Sequence, residues 1–148
     1  MTIHKDSKSS IEKFLNRCIV HREYKIAFYV KDIESSKLLL KELRNYYESI
    51  SSDDIEHVDE CGSVGAIIYF KNQSIIHIFT AEEPTFIGVH SHLVFMDSRI
   101  RETFIRDHFR PCIDKFDLGN ENFIINPKLI YIKFLNEEDK DENETAKQ

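Results

Sequence analysis

A chain of 148 residues with 41% hydrophobic content and a formal charge of −6 is long enough for one hydrophobic core and too short for two. The charge is unevenly placed: residues 136–148 hold Glu137, Glu138, Asp139, Asp141, Glu142 and Glu144 against Lys140 and Lys147, so −4 of the −6 lies there. The remaining body is near −2, which argues against strong non-specific nucleic-acid binding through bulk charge, and no apolar run approaches the ~20 residues of a membrane helix.

These features predict one α/β domain over 1–135 and a disordered acidic tail over 136–148. Cys18, Cys61 and Cys112 are far apart in the chain and cannot all pair within one molecule. With no secretory leader ahead of them, the expected setting is a reducing cytoplasm.

In chain order, Ile11, Phe14, Leu15, Cys18 and Ile19 fall on one face of a helix, and Ser9 with Glu12 matches a capping box that would start it. Ile26-Ala27-Phe28-Tyr29-Val30 is an apolar run without alternation, the pattern of a strand buried on both faces. Asp32 then caps a helix with the stripe Leu39, Leu43, Tyr46, Tyr47 and Ile50. Ser51 to Gly65 reads as a connection with a short strand around Ile55 to Val58. Gly65 to Phe70 and Ser74 to Phe79 form a hairpin with Asn72 in its turn. His92-Leu93-Val94-Phe95-Met96-Asp97 is a second unalternated run, closed by a carboxylate. A helix is expected over Ser98 to Arg110 until Pro111 stops it, and Leu129 to Phe134 is the last strand. The predicted architecture is a mixed, mostly parallel sheet of about five strands with helices on both faces, centred on Ile26 to Val30 and Leu93 to Asp97.

Helix, buried strand, helix, hairpin and a buried strand ending in Asp97 resembles the first half of the RecA-like P-loop ATPase core, in particular the large-terminase motors of tailed phages. The resemblance covers roughly Lys5 to Lys115 and is sharpest from Phe86 to Asp97. It implies a phosphate loop opening the first helix and a strand-terminal acid pair that holds Mg²⁺ and positions water, which would make Lys8, Ser9 and Asp97 the nucleotide and Mg²⁺ contacts. The phosphate-loop pattern G-x-x-x-x-G-K-[ST] needs its glycines so that backbone N–H groups can wrap phosphate. The matching octet, Thr2-Ile3-His4-Lys5-Asp6-Ser7-Lys8-Ser9, keeps Lys8 and Ser9 but lacks both glycines and adds Asp6. Only Met1 precedes it, so no launching strand is expected, and the family's Asp-Glu pair is Asp97-Ser98 here, without the carboxylate that orients the attacking water.

Other chemistries compete with this. His90 and His92 are two apart, so on an extended segment they share a face. With His57 and Cys61 they supply an N/S set that zinc accepts at ~2.0–2.3 Å, although the tight C-x-x-C of zinc signatures is missing. Arg99, Arg101 and Arg106 form a basic stretch suited to an acidic partner, or a solvated face with i,i+4 pairs such as Glu102 to Arg106. No catalytic constellation is complete. The leading expectation, implied by the resemblance, is a non-catalytic phage or mobile-element protein that binds and inhibits a host nucleic-acid-handling complex, as anti-CRISPR proteins do, through protein contacts and not by direct nucleic-acid binding. The alternatives are a nucleotide- or metal-dependent enzyme acting on phosphates and a zinc-stabilised binding module.

Overall fold

The computed structural model describes residues 1–50, 53–82, 91–100 and 128–136. In order these form β1 (Thr2–Ile3), α1 (Lys5–Leu15), α2 (Arg17–Val20), β2 (Lys25–Val30), α3 (Ile33–Ile50), β3 (Ile55–Glu60), a short 3₁₀ turn (Gly62–Val64), β4 (Gly65–Phe70), β5 (Ile75–Thr80), β6 (Leu93–Asp97), β7 (Lys128–Ile132) and β8 (Phe134–Leu135). Six strands make one sheet in the order β3-β4-β5-β2-β6-β7, and β1 pairs with β8 separately. β5, β2, β6 and β7 run parallel, whereas β3, β4 and β5 are joined antiparallel. This is a single α/β sheet domain of the predicted class, with one more strand in the sheet than expected, and β2 shares its centre with β5.

The unalternated runs follow from burial on both faces. Ile26, Phe28 and Val30 of β2 join Ile78, Leu93 and Phe95 in a core with Phe14 and Leu15 of α1, Cys18 of α2, and Leu39, Leu43 and Tyr47 of α3. Ala27 and Tyr29 point the other way and are buried with Phe79, Val94, Met96 and Ile100. The three described helices therefore lie on one face. The helix expected over 98–110 falls outside the described residues from 101 onward, and Ser98 to Ile100 form a turn, not a helix start.

Two further boundaries differ from expectation. α1 begins at Lys5, four residues before Ser9, because pairing of Thr2 and Ile3 with Leu135 and Phe134 releases the chain at His4, whose side chain accepts the Asp6 N–H as the cap. A two-residue strand thus does precede the first helix. The predicted stripe is cut at Asn16, where α1 ends and α2 begins, and the Tyr47 hydroxyl donates to the free Leu15 carbonyl at 2.7 Å, one of the groups a helix end leaves unpaired. Ile50 lies at the end of α3 and is exposed. The hairpin is as expected: Asn72 donates from Nδ2 to the Cys18, Ile19 and His21 carbonyls, and its Oδ1 accepts the Ser74 N–H, tying the turn to α2.

Candidate functional site

β2 is followed through α3 by strands on one side of it, while β6 lies on its other side. The carboxyl ends of β2 and β6 thus meet where open α/β sheets reverse direction and bind ligands. Asp97 ends β6 there with a side chain 0% exposed. Its Oδ1 accepts the Arg99 backbone N–H and Nε–H, each at 3.0 Å. Its Oδ2 accepts the Lys31 backbone N–H at 2.9 Å and Arg99 Nη2 at 2.7 Å. An ionised carboxylate has about four lone-pair sites, and each has a donor.

Arg99 extends the network. Its Nη2 donates to Ser35 Oγ, whose hydroxyl donates to Asp32 Oδ1 at 2.7 Å, and Asp32 Oδ1 also caps α3 by accepting the Ser35 N–H at 2.9 Å. The guanidinium lies 4.8 Å from the centroid of the Phe134 ring. Burial pulls the Arg99 pKa down, but hydrogen bonding and charge from Asp97, with Asp32 behind it, outweigh that and hold it above its ordinary value. Burial likewise pushes Asp32 up, and the Ser35 hydroxyl and N–H, Arg99 and Lys31 together hold it below the usual range. The network joins β6, the start of α3 and β8.

In this geometry Arg99 is an internal ion-pair partner, 29% exposed at its side chain. Arg101 and Arg106 lie outside the described residues. The signal for the Arg99 contact was in the sequence, since an Asp whose side chain accepts the N–H two residues on makes an Asx turn, and Asp97-Ser98-Arg99 brings the guanidinium back over the same carboxylate. Lys8 and Ser9 are not brought to Asp97 by a loop. Both are exposed within α1, where the Lys8 N–H bonds to the His4 carbonyl at 2.9 Å and Lys8 Nζ pairs with Glu42 Oε2 of α3 at 3.1 Å. Amides held in a helical ladder cannot wrap a phosphate. A Mg²⁺ ion needs oxygen ligands at ~2.0–2.1 Å, so at Asp97 it would have to displace the guanidinium. The residues present do not fit a Mg·nucleotide group.

The fold is similar to that of the bacteriophage HK97 large terminase, with a TM-score of 0.60 and 15% identity over 88% of this chain and 28% of the terminase. The chain thus spans little more than a quarter of that protein's length, and the likeness is one of fold. No known protein family matches the sequence, and no curated protein does.

The proposed zinc ligands are not assembled into one site. His57 is on the edge strand β3, stacked on Tyr69 with ring centroids 4.4 Å apart and Nε2 3.6 Å from Asp59 Oδ2. Cys61 follows that strand and is exposed. His92 precedes β6, four strand spacings or about 19 Å across the sheet, and its Nδ1 accepts the Lys25 N–H at 3.0 Å while its ring stacks on Tyr24. His90 lies outside the described residues. Among the described residues no three His, Cys, Asp or Glu side chains gather as metal ligands, and no helix is long and apolar enough to cross a membrane.

A histidine that the sequence reading passed over has the clearest pH signature. His77 of β5 stacks on Phe79 at 3.8 Å, and burial lowers its pKa from 6.5 to about 4. The folded state therefore binds fewer protons than the unfolded one between these values, so stability is intact above pH 6.5 and falls as the pH drops toward 4. After discounting for its partial exposure, a loss of about 2 kcal/mol is expected between about pH 7 and about pH 4.5. Urea unfolding at the two pH values checks it, and His77→Gln should flatten the difference.

Proposed function

We propose that this chain is a non-catalytic binding protein on a terminase-like sheet, acting by occupying a surface of a larger nucleic-acid-handling complex, with a host defence nucleoprotein such as a CRISPR effector as the target. The observation that carries the non-catalytic reading is the four-donor saturation of Asp97. A strand-terminal acid that serves a metal must offer oxygen lone pairs to it, and here Arg99 and the Lys31 N–H take them. The choice of partner rests on the likeness to a phage protein that its name describes as a large terminase. Arg101 and Arg106 are the contacts proposed for the partner, and a nearly neutral body with an acidic tail and a basic stretch offers opposite charges that fix orientation.

Two measurements test the reading. Calorimetric titration with Mg·ATP at micromolar concentrations should give no binding heat; a one-site isotherm lost in Asp97→Asn would hand the site to the alternative, a nucleotide-dependent enzyme. In a target-cleavage assay with a purified CRISPR effector, the protein should inhibit stoichiometrically. Inhibition by far less than one equivalent would mean turnover and would also favour the enzyme.

A further inference from the structure

A second feature at the carboxyl edge of the sheet lies away from Asp97, between the first turns of α3 and the link from β3 to β4. It is a cleft of about 290 Å³ lined by Ile33, Ser36, Lys37 and Leu40 of α3 and by Glu60 and Ala66 of the paired strands, near the lower end of the range for small-molecule sites. Ser36 is 3% exposed, and its hydroxyl has no hydrogen-bond partner among the described residues. A buried hydroxyl without a partner is costly, and α3 gains nothing from it, because alanine is the better helix former at the same position. A polar group that is costly to the fold and lines a cleft points to a ligand that completes it.

The charges around it select the class. Lys37 and Glu60 are exposed and stand on opposite walls, one on the helix and one on the edge strand, with no ion pair between them or to others among the described residues. A simple anion would meet the Glu60 carboxylate and a simple cation the Lys37 ammonium; a molecule carrying both charges satisfies both walls. Ile33, Leu40 and Ala66 add an apolar surface suited to an aliphatic group. We propose that this cleft binds a small zwitterion of the α-amino-acid class with an aliphatic side chain, its carboxylate held by Lys37 and the Ser36 hydroxyl and its ammonium by Glu60. This goes beyond the proposed function and does not depend on it, since neither the Asp97 network nor the partner surface uses these residues.

The test is a titration of the full-length ¹⁵N-labelled chain, followed by NMR, with L-leucine and its two half-ligands, 4-methylpentanoate, which lacks the ammonium, and isopentylamine, which lacks the carboxylate. L-Leucine should shift the amides of Ser36, Lys37 and Ala66 saturably, and each half-ligand should bind at least about tenfold more weakly. Ser36→Ala should weaken leucine binding about tenfold while leaving thermal stability unchanged or raised, because it removes a buried unpaired hydroxyl from a helix. Lys37→Met, an exposed change, should weaken binding by a similar factor. Absence of a saturable shift with L-leucine, a half-ligand that binds as tightly as leucine, or a folded Ser36→Ala or Lys37→Met chain that binds leucine as the parent does, would each overturn the proposal.

Discussion

Replacing Asp97 with alanine is expected to destabilise the fold by about 3 kcal/mol, the lower part of the range for breaking a buried ion pair, since the Arg99 side chain keeps 29% of its exposure. The loss has two sources. The Arg99 guanidinium stays held against Ser35 and Phe134 without its counter-charge, and the Lys31 N–H loses its acceptor at 2.9 Å. Asp97→Asn keeps an oxygen but not the charge, so a smaller loss follows. If the cost lies in the uncompensated cation, the double variant Asp97→Ala/Arg99→Leu should recover much of it. Urea unfolding of the two single variants and the double closes the cycle. A single-variant loss within ~0.5 kcal/mol, as at an unremarkable surface position, would mean that the network does not join β6 to α3.

That network also marks where sequence reasoning stopped. Ile26 to Val30 and Leu93 to Asp97 were legible as strands buried on both faces because nothing polar interrupts them, and burial on two faces is the condition that removes alternation. The hairpin was legible for a local reason, an Asn between two apolar runs, and Asp32 was legible as the cap of α3. The start of α1 was not, since it is set by Thr2 and Ile3 pairing with residues more than 130 positions away, and local capping signals at Ser9 and Glu12 carry no information about that pairing. Asp97 was legible as the acid that ends a buried strand, but what its oxygens bind depends on a turn two residues long and on Lys31 from another strand end. The metal grouping failed for the same reason: spacing along the chain places His90 and His92 on one face, but only the strand order puts His57 and Cys61 on the far edge.

The second large effect is expected at Gly65, the first residue of β4. It is buried and has a φ of +129°, a conformation that side-chain-bearing residues rarely adopt. A Cβ there would overlap the Ile78 carbonyl oxygen and sit 2.8 Å from its carbonyl carbon. These are backbone atoms of β5, and Ile78 is in register with Phe28 at the middle of the sheet, so they cannot yield without disturbing the β5–β2 ladder. Gly65→Ala should therefore cost about 3 kcal/mol or more, combining backbone strain with the separation of two strands. Gly62 is the control: its φ is also positive, at +63°, but nothing lies within 4 Å of a Cβ built there, so Gly62→Ala should cost only about 1 kcal/mol for the left-handed backbone. The two variants thus separate a mild left-handed strain from a collision in a rarer backbone conformation, and their difference in unfolding free energy reports the collision together with the extra strain at a φ of +129°. Equal losses would show that β4 does not pass the Ile78 carbonyl as closely as its register with β5 requires.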